Sequence, residues 1–143
     1  MNMNNDRMLE NVLKTAQMGR FGIETVLEKA IGPGLKQQLR QQKSQYDDIE
    51  NEANALARRH GLHPKGLNPA QRYMTATMSR VSISGGERDS KIAGMLIQGN
   101  AMGLIKGMKY LNRANGADDD IQALARKLVA REQENIRAAQ PYL

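Results

Sequence analysis

Leu35, Leu39, Gln42, Tyr46, Ile49, Ala53, Leu56 and His60 follow one another at alternating intervals of four and three residues without a break. A seam of that period keeps one side of a long helix against other helices along its whole length. It therefore commits residues 34–60 to a helical bundle. The preceding segment repeats the message: Leu9, Ala16, Ile23 and Ala30 fall seven apart, with Val12, Gly19 and Val26 between them. Asp6 suits the N-cap of this first helix, expected over 6–30. Gly32-Pro33-Gly34 ends one helix and starts the next, with the proline in a first turn. Gly61 closes the second helix as a C-cap residue.

Two further long helices follow a connection of nearly thirty residues. Within it Asn68-Pro69 is a cap followed by proline at the first helical position, and it opens a short amphipathic stretch over 69–83 through Tyr73, Met74, Met78 and Val81. The third long helix, 89–114, is apolar on more than one side (Ile92, Met95, Leu96, Ile97, Met102, Leu104, Ile105 and Met108) and is expected to be the most buried. It carries Gly99, Gly103 and Gly107 four apart. Each glycine costs about 1 kcal/mol relative to alanine inside a helix, so a compensating close approach of another helix is expected, with Gly19 and Gly22 as counterparts. Asn115-Gly116 makes a turn into a fourth helix, 118–140. Asp118, Asp119 and Asp120 at its start complement the helix dipole, which explains them without a metal.

Loop lengths then choose the topology. Short turns join the first helix to the second and the third to the fourth, so each pair is an antiparallel hairpin. One long central crossover between two such hairpins is the ferritin-like arrangement of a four-helix bundle. A faint internal echo agrees: Met18-Gly19, Leu27 and Gly32 recur 84 residues later as Met102-Gly103, Leu111 and Gly116. At 143 residues the chain makes one all-α domain, large enough to bury roughly 68–70% of its unfolded surface. It has no cysteine, which excludes disulfides and thiolate metal sites and fits a reducing compartment. With no apolar run near the ~20 residues of a membrane span and no signal pattern at the N-terminus, a soluble, cytoplasmic protein is expected. The net charge of +6 raises the question of an acidic partner. Basic and acidic residues are interleaved, however, and the chain has no tryptophan and one phenylalanine. Nucleic acid is thus an unlikely partner, and a mixed solvated surface is the better account.

The run Ser90-Lys91-Ile92-Ala93-Gly94-Met95-Leu96-Ile97-Gln98-Gly99-Asn100-Ala101-Met102-Gly103, with the segments Leu124-Ala125-Arg126-Lys127-Leu128 and Glu132-Gln133-Glu134-Asn135-Ile136, resembles a small ferritin-like bacterial family. Its uncharacterised members are often associated with anaerobic, spore-forming bacteria. The resemblance covers nearly the whole chain. It implies the four-helix fold and carries no assigned reaction.

Active carboxylate proteins of this architecture draw a Glu from each of two helices and a Glu-x-x-His from each of two others. No Glu-x-x-His occurs here, so the usual di-iron site is absent and the metal site is degenerate. Gln42, Tyr46 and Gln98 are expected as interior polar residues, with Glu24 beside the first seam and Glu132 leaning inward between Leu128 and Ile136. One reading makes Glu24, Glu132 and the amides a remodelled iron or manganese site, or a small-ligand site. The other, which is favoured, makes these residues a hydrogen-bonded relic that fixes helix register. His60 and His63 form a possible surface metal pair, set against a helix cap and a loop residue. No cofactor is expected and no catalytic residue stands out. The leading expectation is a non-enzymatic structural or interaction bundle, homo-oligomeric or with a protein partner, using the Met-rich stretch 73–81 as a contact surface. The alternatives are a metal-binding redox or storage protein and a non-specific nucleic-acid binder.

Overall fold

The computed structural model describes residues 3–72, 74, 86–113 and 116–143. Four long helices carry the structure: α1 (Met3–Val26), α2 (Pro33–His60), α3 (Arg88–Arg113) and α4 (Asp119–Ala139). Short 3₁₀ turns, Leu27–Lys29 and Gln140–Tyr142, extend α1 and α4. No strand occurs among the described residues, and no helix there is long and apolar enough to cross a membrane.

The helix ends follow their local chemistry. Gly32 precedes α2 in an extended conformation and Pro33 takes its first position, where the missing N–H is no loss. Gly61 ends α2 at φ 65°, and the Leu62 N–H reaches back to Ala57 O at 2.8 Å, the bond that closes a Schellman motif. Asn68 and Gln71 cap one another reciprocally: the Asn68 side chain accepts the Gln71 N–H at 2.8 Å, and the Gln71 side chain accepts the Asn68 N–H at 3.0 Å. A helical turn follows at 69–72. Most of the short helix expected over 69–83, including Tyr73, Met78 and Val81, lies outside the described residues, as does Asn115 of the expected turn. Asp6 sits inside the first turn of α1 rather than before it.

α1 packs beside α2 and α3, and α4 beside the same two helices, with α1 and α4 also touching across the bundle. Cross-helix contacts give the directions. Tyr46 meets Glu132 while His60 meets Asp120, so α2 and α4 run antiparallel. At one end the Asp89 carboxylate accepts the Ile31 and Gly32 N–H groups at 2.8 and 2.7 Å. At the other, Asn5 exchanges two bonds with Asp118. The connection from α2 to α3 therefore travels the length of the bundle, and the Leu67 N–H, bonded to Gln17 Oε1 at 2.8 Å, holds its first part against α1.

The core is built from Leu9, Val12, Ile23, Leu39, Ile92 and Leu128 and their neighbours. Two expectations change here. The α2 seam passes at its end through the buried Ala57, with Leu56 and His60 half-exposed, because a straight helix drifts ~20° per heptad against a 3.5-residue repeat. α3 is not buried all round: Met102, Ile105 and Met108 are 54, 53 and 45% exposed. Its buried side is Ile92, Ala93, Leu96, Asn100, Gly103 and Gly107. That side consists largely of small residues, because two side chains from other helices fill the space above its glycines.

Candidate functional site

The centre of the bundle is polar. Gln42, Asn100, Glu132 and Asn135 are at most 3% exposed, and so is Tyr46. All five lie on the buried faces of α2, α3 and α4, so the same helical period that places the leucines also places them. Tyr46 donates its hydroxyl proton to Glu132 Oε1. Its oxygen must then accept, and Asn100 Nδ2 donates to it at 3.0 Å and to Gln42 Oε1 at 3.3 Å. Gln42 in turn donates to Gln38 Oε1 at 3.2 Å and to the Asn135 carbonyl at 3.4 Å. The network thus orients every amide in it. It leaves Glu132 Oε2, Asn100 Oδ1 and Asn135 Nδ2 buried without a hydrogen-bond partner among the described residues. Each such atom costs about 1–3 kcal/mol.

Burial dominates the electrostatics. It pushes the Glu132 carboxyl up to about 8, against the opposing influence of the Tyr46 hydrogen bond and the nearby Asn100 amide. Burial, followed by the proximity of Glu132, holds the Tyr46 phenol well above its ordinary range. Both groups are neutral at pH 7, and no cationic side chain contacts the carboxyl.

Two glycines make room for this pair. A Cβ at Gly19 would fall inside the Tyr46 ring, and one at Gly103 would overlap Glu132 Oε2 and crowd Thr15 Cγ2 at 3.0 Å. Above them, between α1 and α3, opens a cleft of about 520 Å³. Its floor is Gly19, Gly103, Tyr46, Asn100 and Glu132, and its walls include Met18, Met95, Met102, Ile23 and Gly99. Glu10, Lys14 and Lys106 stand among its lining residues, with Glu10 and Lys14 ion-paired at 2.8 Å.

The expected site residues divide. Gln42, Tyr46 and Glu132 come together. Gln98 is exposed and lines the cleft, and Glu24 is 39% exposed, paired with Arg20 at 3.2 Å and Lys43 at 3.9 Å. Neither reaches Glu132's network. Gly103 faces Glu132 of α4 and Thr15 of α1, and Gly107 faces α4, 2.7 Å by its would-be Cβ from Val129 Cγ2. Among the described residues Gly99 has nothing within 4 Å of that position; Gly99 and Gly22 both line the cleft. Asn100 and Asn135 were not anticipated. Their signal was spacing: Asn100 sits four after Leu96 and three before Gly103, and Asn135 three after Glu132.

Among the described residues, the one grouping of three His, Asp or Glu side chains able to hold an ion is His60, Asp118 and Asp120. His60 Nδ1 lies 3.2 Å from Asp118 Oδ2, and Nε2 lies 2.9 Å from Asp120 Oδ2. Both ring nitrogens are thereby taken by carboxylates, and the cluster ties the end of α2 to the start of α4. His63 is exposed in the connection and takes no part in it. No protein-family model, curated protein sequence or solved structure matches this chain.

Proposed function

We propose that this chain is a non-enzymatic binding protein that takes a small amphiphilic molecule into the cleft between α1 and α3. One observation carries the reading: the cleft ends on Glu132 and Asn100, each with a buried oxygen that no described residue satisfies. A native core rarely leaves such atoms bare, and an apolar cavity that closes on a few convergent polar groups is the usual form of a ligand site. The methionine walls suit it, since thioether side chains adapt to the shape they meet. Catalysis is not supported by the same atoms. The network has one carboxyl and no histidine, and its phenol is held far from the range useful for proton transfer. The ferritin-like kinship expected from residues 90–103 belongs to this reading. Two hairpins joined by a long connection support it.

The test is a titration of the ¹⁵N-labelled protein with hexanol, hexylamine and hexanoate, followed by amide NMR. Saturable shifts concentrated at Gly19, Gly99 and Gly103 are expected with at least one probe. Gly99→Leu, which projects into the cleft where no atom lies within 4 Å of the new Cβ, abolishes them without loss of thermal stability. Shifts scattered over the surface, or unchanged by Gly99→Leu, would overturn the proposal.

A further inference from the structure

The chemistry of the cleft floor names the class of ligand, and this step rests on the binding reading above. We infer that the cleft is built for a protonated primary amine on an apolar body, its ammonium seated against Glu132 Oε2 and Asn100 Oδ1.

The donor and acceptor inventory leads there. Tyr46 has one proton and gives it to Glu132 Oε1; both N–H groups of Asn100 go to Tyr46 and Gln42. What remains open on the cleft-lining residues is therefore a carboxyl oxygen and an amide carbonyl oxygen. An ammonium offers three donors and no acceptor. A hydroxyl offers one donor for these two oxygens and can accept only the single proton that neutral Glu132 carries. A carboxylate brings only acceptors, so it leaves the Asn100 oxygen unpaired and repels Glu132 once that group ionises.

The charged residues at the cleft do not reverse this choice. Lys14 is already paired with Glu10 at 2.8 Å. Lys106 is exposed, and an ion pair made in water is worth at most about 1 kcal/mol. A charge-assisted bond to a buried carboxylate is about twice as strong as a neutral one and shorter. The apolar body then lies along Met18, Met95 and Met102.

Seating the amine moves one proton. The empty site holds Glu132 as the neutral acid at pH 7. The incoming ammonium stabilises the carboxylate, so the Glu132 proton leaves to solvent while the amine keeps its own. The titratable and charged groups facing this event are Tyr46 from α2, Glu10 and Lys14 from α1, and Lys106 and Tyr110 from α3. Tyr46 stays neutral throughout the range. Glu132 alone sets the pH dependence. Amine affinity should rise close to tenfold per unit from pH 6 to about 8 and then level.

Calorimetry of the intact protein with hexylamine, hexanol and hexanoate, in two buffers of different ionisation enthalpy, tests this. The expected result is that hexylamine binds at least tenfold tighter than either other probe at pH 7, releasing close to one proton. In Glu132→Gln that preference and the proton release both vanish, while hexanol binding persists in the same cleft. Hexanol or hexanoate binding as tightly as hexylamine would overturn the amine assignment and leave the cleft reading intact. No probe shifting Gly99 or Gly103 by NMR would overturn both. Amine binding with no proton release and no pH dependence, unaltered by Glu132→Gln, would place the ammonium elsewhere and also overturn the assignment.

Discussion

Glu132 is the residue whose cost to the fold is easiest to measure. It titrates at about 8 in the folded chain against an ordinary value of 4.5. Below pH 4.5 both states hold the proton and the group is neutral to stability. Between 4.5 and 8 the unfolded chain ionises alone, so the folded state loses about 1.4 kcal/mol per pH unit. Above 8 both states are ionised and no further loss accrues. Urea unfolding of the wild type should therefore weaken by about 5 kcal/mol across that window. Glu132→Gln keeps an acceptor for Tyr46 and cannot ionise. It should be more stable than the wild type by about 3–3.5 kcal/mol at pH 7, with the gap closing by pH 4.5. Equal stability at pH 7, or a gap that ignores pH, would mean that the carboxyl is charged and solvated. A residue that weakens the fold at neutral pH while ending a cleft is the pattern expected where stability is given up for binding.

At the scale of elements, the three glycines of α3 share one spacing and have three different environments. Gly103 makes room for the Glu132 carboxyl, Gly107 for Val129, and Gly99 for nothing but the cleft. Alanine at each position gains about the same intrinsic helix propensity, up to 1 kcal/mol. The outcomes should nonetheless diverge. Gly99→Ala should stabilise by about 0.5–1 kcal/mol. Gly103→Ala should destabilise by about 1–3 kcal/mol, because it drives into a carboxyl locked by Tyr46. Gly107→Ala should fall between them, since a valine methyl can give way. Thermal unfolding of the three variants checks the order, and a Gly99→Ala variant less stable than the wild type would mean that α1 and α3 pack closer than they do here. The two hairpins echo each other at this scale. Gly19 on α1 receives Tyr46 from α2, and Gly103, 84 residues later, receives Glu132 from α4. The Tyr46–Glu132 hydrogen bond joins the two halves.

The whole molecule is closed at both ends by side chains that bond across it. Asp89 at the start of α3 holds the Ile31 and Gly32 N–H groups, while Asn5 and His60 engage Asp118 and Asp120 at the far end. Between them, Arg20, Glu24, Lys43, Asp47 and Glu50 form an ion-pair network over the outer faces of α1 and α2. Exposed pairs of that kind contribute little individually. The end bonds matter more, because they set where the long connection begins and finishes. Asp89→Ala removes two charge-assisted bonds to backbone donors and should cost about 1–3 kcal/mol. Hydrogen exchange should show the loss concentrated at Ile31, Gly32 and the first turn of α3. Uniform loss of protection would instead mean that the two hairpins fold as one unit.

The four long helices and the caps of α2 were legible in the sequence, because period, caps and turn glycines act within a few residues of themselves; the start of α1 was not, since Asp6 lies inside its first turn. Gln42, Tyr46 and Glu132 were legible for the same reason: each interrupts an apolar seam. Asn100 was hidden by the apolar residues on the other sides of α3. Periodicity cannot tell a buried side from an exposed one when Met102, Ile105 and Met108 compete with Leu96 and Ile92. Only packing decided that, by setting Gly103 and Gly107 against α4 and leaving Met102, Ile105 and Met108 exposed. Packing likewise paired Tyr46 with Glu132 across 86 residues, sent Glu24 and Gln98 to the surface, and left two acceptors bare beneath an open cleft. Those are long-range facts, settled by which helix stands beside which, and no local pattern encodes them.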